Sequence, residues 1–390
     1  MNNRVNPEFI KDLKKFGVKD WDTCYHCGNC TASCQLTEQG VLFPRNNIRA
    51  MQMGLKDKID GSIEPWLCYY CGDCSDECPR DANPGELMMA LRRYLTTVYD
   101  WTGLARLVYT SKAAEFALIF IFAAIVLVLS VIYSVIPDES LWLTAEGGVA
   151  INKFFPIEYV HIGDLVIIVL LAGLLISNII NMYYKVIIKN NVQVPIISYF
   201  KEAGSLIWNF ATQWEFSKCE KKSYWGMHFL LATGYVSLFV MVVVFLDWFQ
   251  TDTIHEWYHP QRLLGYYATL GLFIGSVYFL KIRQEKVQQK SKHSHYTDWT
   301  FVILLFLTTL SGILVHVFRI NGLALATYYT YILHLMILTP MLMIEVPFSK
   351  WSHLAYRPFA IYFANLIKAA EKEGQKKASS KILNLQESIA

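Results

Sequence analysis

Six stretches of the chain stay apolar for about 20 residues or more, the helical length that crosses a hydrocarbon layer of roughly 30 Å. They fall at 116–136, 159–184, 225–246, 261–280, 299–318 and 325–346. Residues 1–110 follow another pattern, short apolar groups among charged ones, which suits small helices in water rather than spanning segments. Lys and Arg sort the loops. Lys185, Lys189, Lys201, Lys218, Lys221 and Lys222 follow the second stretch, and Lys281, Arg283, Lys286, Lys290 and Lys292 follow the fourth. The loops after the first, third and fifth carry Asp138, Glu139, Glu146, Glu158, Asp247, Asp252 and Glu256, with Lys153 and Arg319 as their basic residues. Because basic loops stay inside, an even number of spans places both chain ends in the cytoplasm. Between the second and third spans, Phe200, Leu206, Ile207, Phe210 and Trp214 recur at helical spacing. They predict an amphipathic helix lying on the membrane face or a partner, or else packed on its own protein.

Composition agrees with the pattern. Of 390 residues 54% are hydrophobic and 17% charged, with a mean hydropathy of +0.29, which points to a membrane protein. The net charge of +3 gives no sign of nucleic-acid binding. The opening "MNNRVNPEFIKDLKKFG" has no apolar core and no cleavage site, so the front region is expected to stay in the cytoplasm. There, eight closely spaced cysteines point to metal rather than to disulfides.

Those cysteines form two copies of Cys-x2-Cys-x2-Cys-x3-Cys, "CYHCGNCTASC" and "CYYCGDCSDEC". In such a run three sulfurs wrap one cubane cluster while the fourth reaches the other cluster. The spacing therefore predicts one [4Fe-4S] cluster on Cys24, Cys27, Cys30 and Cys78, and a second on Cys68, Cys71, Cys74 and Cys34. Gly28 and Gly72 give backbone amides room to approach the sulfur. Pro79 turns the chain after the second run; Gln35 stands in that place after the first. A zinc site is the alternative, but zinc takes two well-separated Cys-x2-Cys pairs rather than this close run. Cys219 stands apart and is read as structural.

Histidine inside a spanning helix is costly and usually functional. His161, His228, His316 and His334 qualify, and two pairs would supply the axial ligands of two haems b. Depth pairs His228 with His334 at the inner side and His161 with His316 at the outer side, although His334 lies deeper than His228. Each histidine also has a plainer reading, a polar group satisfied by a neighbouring helix. Asp164, one turn from His161, is a candidate to orient that ligand, to take a proton from substrate, or to make a structural hydrogen bond. His255 and His259, in "TDTIHEWYHP", are candidate proton acceptors at the outer boundary or ordinary loop residues. The aromatic side chains around them suit a flat ring or an interfacial belt.

The cysteine runs resemble the small iron-sulfur subunit of heterodisulfide reductases. The segment "YILHLMILTPMLMIEVPFSKWSHL", with His316 eighteen residues before His334, is similar to the cytochrome b subunit of that family and of respiratory nitrate reductases. Their fusion resembles the membrane subunit of the quinone-interacting membrane-bound oxidoreductases of sulfate reducers. The resemblance covers residues 20–355. It departs from the nitrate reductase pattern at Leu238, where a second ligand would follow His228 by ten residues; His161 would then replace it, with His259 as runner-up.

The expected fold is mainly α: an N-terminal helical ferredoxin-type two-cluster domain (1–110), a six-helix transmembrane di-haem cytochrome b bundle (111–350) and a cytoplasmic tail (351–390). The resemblance implies that menaquinol is oxidised beside His255, His259 and Asp164. Electrons would pass through haems b and the two clusters to cytoplasmic flavin- and iron-sulfur-containing subunits, and on to adenylylsulfate reductase. The alternative is the membrane subunit of a heterodisulfide reductase-like complex, serving a thiol/disulfide or bifurcating module. In the related family direct disulfide reduction uses paired "CCG" cysteines in a separate subunit, and no adjacent cysteines occur in this chain. A zinc-bearing transporter would leave four membrane histidines without a role and lacks the interrupted helix pairs of that class.

Overall fold

The computed structural model describes residues 4–37, 40, 42–134, 142–213, 222–287 and 289–387. Cys219, Trp214, Asp138 and Glu139 lie outside the described residues. Among those described the protein is helical, with a single isolated bridge between Leu143 and Val149. The chain divides into two compact units: 1–103, 176–219 and 353–390 form one, and 104–175 with 220–352 form the other.

The first unit carries the cysteines. Its helices α1 (Phe9–Lys14), α2 (Asn29–Ala32), α3 (Arg45–Gln52), α4 (Lys56–Asp60), α5 (Glu64–Leu67) and α6 (Asp73–Asp76) are short, and α7 (Pro84–Tyr99) is the long one. α7 starts where Asn83 takes a left-handed conformation and Pro84 fixes the first helical φ. Its buried face meets Phe9 and Phe16, whose rings lie 5.4 and 5.6 Å from that of Tyr94. The Tyr94 hydroxyl donates to Asp60 Oδ1 at 2.6 Å. The helix His353–Glu387 belongs to the same unit. Its buried Tyr356 packs on Trp66 and Tyr99 at 5.0 and 5.4 Å. The helix Ile196–Thr212 lies along it by its polar side: the Tyr362 hydroxyl donates to Tyr199 O, and Asn365 donates to Ser205 Oγ. Ile196, Ile197, Phe200, Ile207, Trp208 and Phe210 remain exposed. The expected amphipathic helix thus turns its apolar face away from its own unit.

The second unit is the bundle. Six helices are long and apolar enough to cross a membrane: Lys112–Tyr133, Ile157–Ile188, Ser223–Val243, Pro260–Glu285, Tyr296–Ile320 and Ala324–Phe348. They match the six apolar stretches and extend several of them into polar flanks, because helical hydrogen bonding continues where hydropathy has already dropped. The protein is therefore a multi-pass membrane protein. The third packs on the fourth, the fourth on the fifth, the fifth on the sixth and the sixth on the first. The third and fourth approach through glycines. A Cβ on Gly234 would lie 2.8 Å from Ala268 O, and one on Gly275 would lie 2.9 Å from Leu231 Cβ. Small residues at such a seam let backbones close where lipid supplies no hydrophobic drive. The second helix touches the bundle through Tyr159 on Tyr133, through Val160, and through Leu174.

At one end of the bundle, segment 142–156 tucks Trp142, Phe154 and Phe155 against Tyr328 and Ile332 of the sixth helix. Arg319 ties this segment to the next loop: its Nε donates to Val149 O at 3.2 Å and its Nη2 donates to Thr251 O. At the opposite end, Trp351 of the "PFSKWSHL" exit packs on Tyr235 and Phe301 at 4.5 and 5.0 Å. His295 and Asp298 form a reciprocal cap at the start of the fifth helix there.

Candidate functional site

The two cysteine runs adopt the same backbone path. His26 and Tyr70 sit at φ 63° and 55°, and Gly28 and Gly72 at 97° and 106°, each glycine opening a one-turn helix, α2 or α6. A non-glycine residue with positive φ is uncommon, so the match at His26 and Tyr70 marks a shape that the loop requires. α2 and α6 pack on each other. Cys30, Cys68 and Cys74 are buried, Cys24, Cys34 and Cys78 half-buried, and Cys27 and Cys71 exposed.

The sulfurs sort into two groups. Cys30 interacts electrostatically with Cys24, Cys27 and Cys78. Cys74 does so with Cys68, Cys71 and Cys34, and with Cys30 of the other group. Burial first, then the neighbouring sulfurs against an opposing Thr31 hydrogen bond, push the Cys30 thiol up to about 11. Burial likewise pushes Cys71 up to about 12, and Cys74 and Cys34 upward. Such thiols resist becoming thiolates side by side unless cations neutralise them. Backbone N–H groups supply part of that support: Tyr70 donates to Cys68 Sγ at 3.3 Å and Ala82 to Cys78 Sγ at 3.4 Å. Among the described residues no three His, Cys, Asp or Glu groups converge on a single metal ion.

Arg92 lies outside the cysteine motif yet serves it. Its guanidinium donates to the carbonyls of Pro65 at 2.5 Å, Trp66 at 3.3 Å and Cys68. Burial pushes it down to about 10, opposed by the Cys68 sulfur, so it stays charged at neutral pH. Arg357 lies over the Tyr69 ring at 5.1 Å. Two cations therefore flank the second run. A helical arginine far from the cysteines in sequence gives no signal of this in a linear reading.

In the bundle, His334 Nδ1 pairs with Ser311 Oγ at 2.9 Å. The absent side chain of Gly312 lets its ring lie against the fifth helix; a Cβ there would be 3.4 Å from Cε1. A histidine held by one ring nitrogen presents the other in the manner of a metal ligand. His228, half-buried on the third helix, has its ring 6.3 Å from that of Phe279. His316 differs. Arg262 Nη1 lies 2.7 Å from its Nδ1 and 3.3 Å from its Nε2, and the Tyr266 hydroxyl lies 3.2 Å from its Nε2. Both ring nitrogens of His316 thus have polar neighbours on the fourth helix. His161, exposed on the second helix, interacts with Asp164. Asp164 Oδ2 is buried without a hydrogen bond, and Asp164 also interacts with Tyr331.

His255 and His259 come together: their rings stack 3.9 Å apart at 9°. His259 Nδ1 is buried and unbonded, and its ring lies 6.4 Å from that of Trp248. His255 is held below the ordinary histidine range by burial first and then by its neighbours His259, Arg262 and Arg319, with Glu146 opposing. Arg262 therefore links this stack to His316, while Asp164 stands with a different set of neighbours.

Comparison with known proteins agrees at the front of the chain. Residues 20–82 match the 4Fe-4S dicluster domain family. The chain is 33% identical over 94 residues to a protein of Archaeoglobus profundus that is like the C-subunit of heterodisulfide reductase, covering 24% of this chain and 50% of that one. It is 28% identical over 96 residues to the iron-sulfur C-subunit of the CoB--CoM heterodisulfide reductase of Methanopyrus kandleri, covering 23% and 50%. With the C-subunit of the H(2):CoB-CoM heterodisulfide,ferredoxin reductase of Methanothermobacter thermautotrophicus it shares 34% identity over 76 residues, covering 20% and 41%. The chain thus spans about half the length of the curated relatives it matches. No solved structure matches. The chain carries an N-terminal 4Fe-4S dicluster domain related to the iron-sulfur C-subunit of heterodisulfide reductases, joined to six helices long and apolar enough to cross a membrane.

Proposed function

We propose that this protein is the membrane subunit of a quinone-interacting oxidoreductase complex, taking electrons from menaquinol and delivering them to cytoplasmic flavin- and iron-sulfur-containing subunits. Both termini face the cytoplasm, with a front two-cluster domain (1–110), a cytochrome b domain (111–350) and a tail (351–390). Adenylylsulfate reductase is the acceptor, which places the complex in dissimilatory sulfate reduction. The observation that carries this reading is the pair of matching cysteine loops in a chain whose bundle also offers a histidine, His334, oriented by Ser311.

Cys24, Cys27, Cys30 and Cys78 hold one [4Fe-4S] cluster, and Cys68, Cys71, Cys74 and Cys34 the other. His228 and His334 hold a haem b. These groups supply one-electron chemistry. The polypeptide binds, insulates and moves protons. Arg92 holds positive charge beside Cys68, which favours the reduced form there. At the quinol site, the unbonded Nδ1 of His259 accepts a proton from a quinol hydroxyl, and neutral His255 stacked on it accepts the second. A further haem on His161 and His316 would require His316 to release Arg262 and Tyr266. The kinship with heterodisulfide reductases favours one other reading, exchange with a heterodisulfide or bifurcating module in place of adenylylsulfate reductase.

The test is a reduced-minus-oxidised absorption spectrum of the purified chain with pyridine haemochrome and iron assays, followed by addition of a menaquinol analogue. About eight non-haem irons with haem b reduced by the analogue is the expected result. Iron without haem would overturn quinol oxidation while leaving the cluster domain.

A further inference from the structure

Two carboxylic side chains face each other inside the bundle. Glu115, one turn into the first spanning helix, and Glu345, near the end of the sixth, are both fully buried at 0% exposure, and their carboxyl groups interact directly. The segment that carries Glu345, Met341–Glu345, is a π-helical turn placed after Pro340. Such wide turns are rare and occur mostly at functional sites.

The hydrogen inventory of this pair does not close if both groups are ionised. Glu115 Oε2 accepts from the Thr300 hydroxyl at 3.2 Å. Glu115 Oε1 has no donor of its own. A carboxylate can only accept, so two of them in contact are acceptor against acceptor. Two unit negative charges in contact in a low-dielectric interior are strongly disfavoured. Ser349, itself fully buried, stands beside Glu345 as a hydroxyl donor to it. The charged groups around the pair are Lys112 on the first helix and Asp298 on the fifth. Asp298 is bound to Lys350 at 2.7 Å and to Arg283 of the fourth helix at 4.0 Å. Lys350 and Arg283 are engaged by Asp298, and Lys112 acts on Glu115 from its own helix, so one cation faces two carboxyls and the remaining positive charge at the pair is a proton.

We propose that Glu115 and Glu345 form a proton-exchange site that holds one proton between two buried carboxyls at the end of the bundle where the first helix begins and the sixth ends. The Thr300 hydroxyl stabilises charge on Glu115, so the proton resides on Glu345, and Ser349 and the Asp298–Lys350 pair lead from it towards the helix ends. A proton held there offsets negative charge arriving in a low-dielectric bundle; that use rests on the electron-transfer reading above, whereas the site does not.

Infrared spectroscopy of the full chain in lipid nanodiscs tests it without any electron transfer. At neutral pH the wild type shows a carboxylic-acid C=O band worth about one carboxyl from this pair, and the band moves on transfer to D2O. Glu345→Gln, which is isosteric with the protonated acid and donates an amide N–H to Glu115, abolishes that intensity. Thr300→Val, which keeps both acids, shifts the band. A band worth two carboxyls that falls by half in Glu115→Gln and in Glu345→Gln would mean two permanently neutral acids and would overturn the proposal. A band absent from the wild type, or unmoved by D2O, would overturn it too.

Discussion

In the cysteine unit the helices other than α7 and those joined from later in the chain are four to eight residues long, and in the bundle they exceed twenty. Helices of four to eight residues are not stable by themselves. In that unit order comes from fixed backbone conformations at His26, Gly28, Tyr70 and Gly72 and from the eight cysteines gathered between them. In the bundle, helix formation is enforced by the surrounding lipid, and position is set by where side chains are missing, as at Gly234 and Gly275. The first region is therefore expected to depend on its inorganic content for folding, and the second on close packing.

The largest effect should come from breaking the first region at one atom. Cys74→Ser replaces a buried ligand, and iron should fall from about eight to about four per chain, with protease sensitivity appearing before residue 104 and the haem spectrum of the bundle retained. Loss of haem together with iron would mean that the two regions are not separable in this way. A smaller effect is expected in the bundle from Gly234→Ala. Its Cβ would meet Ala268 O at 2.8 Å, a backbone atom that cannot move without its helix. Overpacking of this kind should cost about 1–3 kcal/mol in thermal or denaturant unfolding in detergent, with iron content unchanged.

The smallest effect concerns pH. His255 is held below its ordinary value of about 6.5, so in the folded protein it is neutral over most of the physiological range and able to accept a proton. As pH falls, quinol oxidation should persist to below that value and then be lost as His255 becomes charged. A histidine whose folded pKa is depressed also disfavours the folded state in acid, so stability moves in the same direction. His255→Gln should lower the rate and remove the acidic limb of the pH profile. An acidic limb unchanged in this variant would assign it to another group.

The bundle was the most legible part of the sequence, because hydropathy and length decide spanning helices with little help from tertiary contacts. The cysteine loops were legible for a different reason: the Cys-x2-Cys-x2-Cys-x3-Cys spacing leaves few polynuclear alternatives. What the sequence could not display were pairings made across long separations. Arg92 reaches Cys68 from a helix that reads as ordinary. His316 stands at a plausible ligand depth, yet Arg262, fifty-four positions earlier, occupies its ring. Glu115 and Glu345 sit near the ends of apolar stretches, where acids are commonplace, and only the fold turns them inward. Depth along a helix can be counted from sequence; azimuth, which decides what a side chain meets, cannot.

Arg319 also has a bearing on how the molecule is made. Its guanidinium donates to carbonyls of two loops that leave the ribosome well before it does, at Val149 and Thr251. Until the fifth helix is synthesised and inserted, those loops lack the group that joins them. The loop-rich end is thus closed late, and a chain halted after its fourth helix would present that end open to quality control.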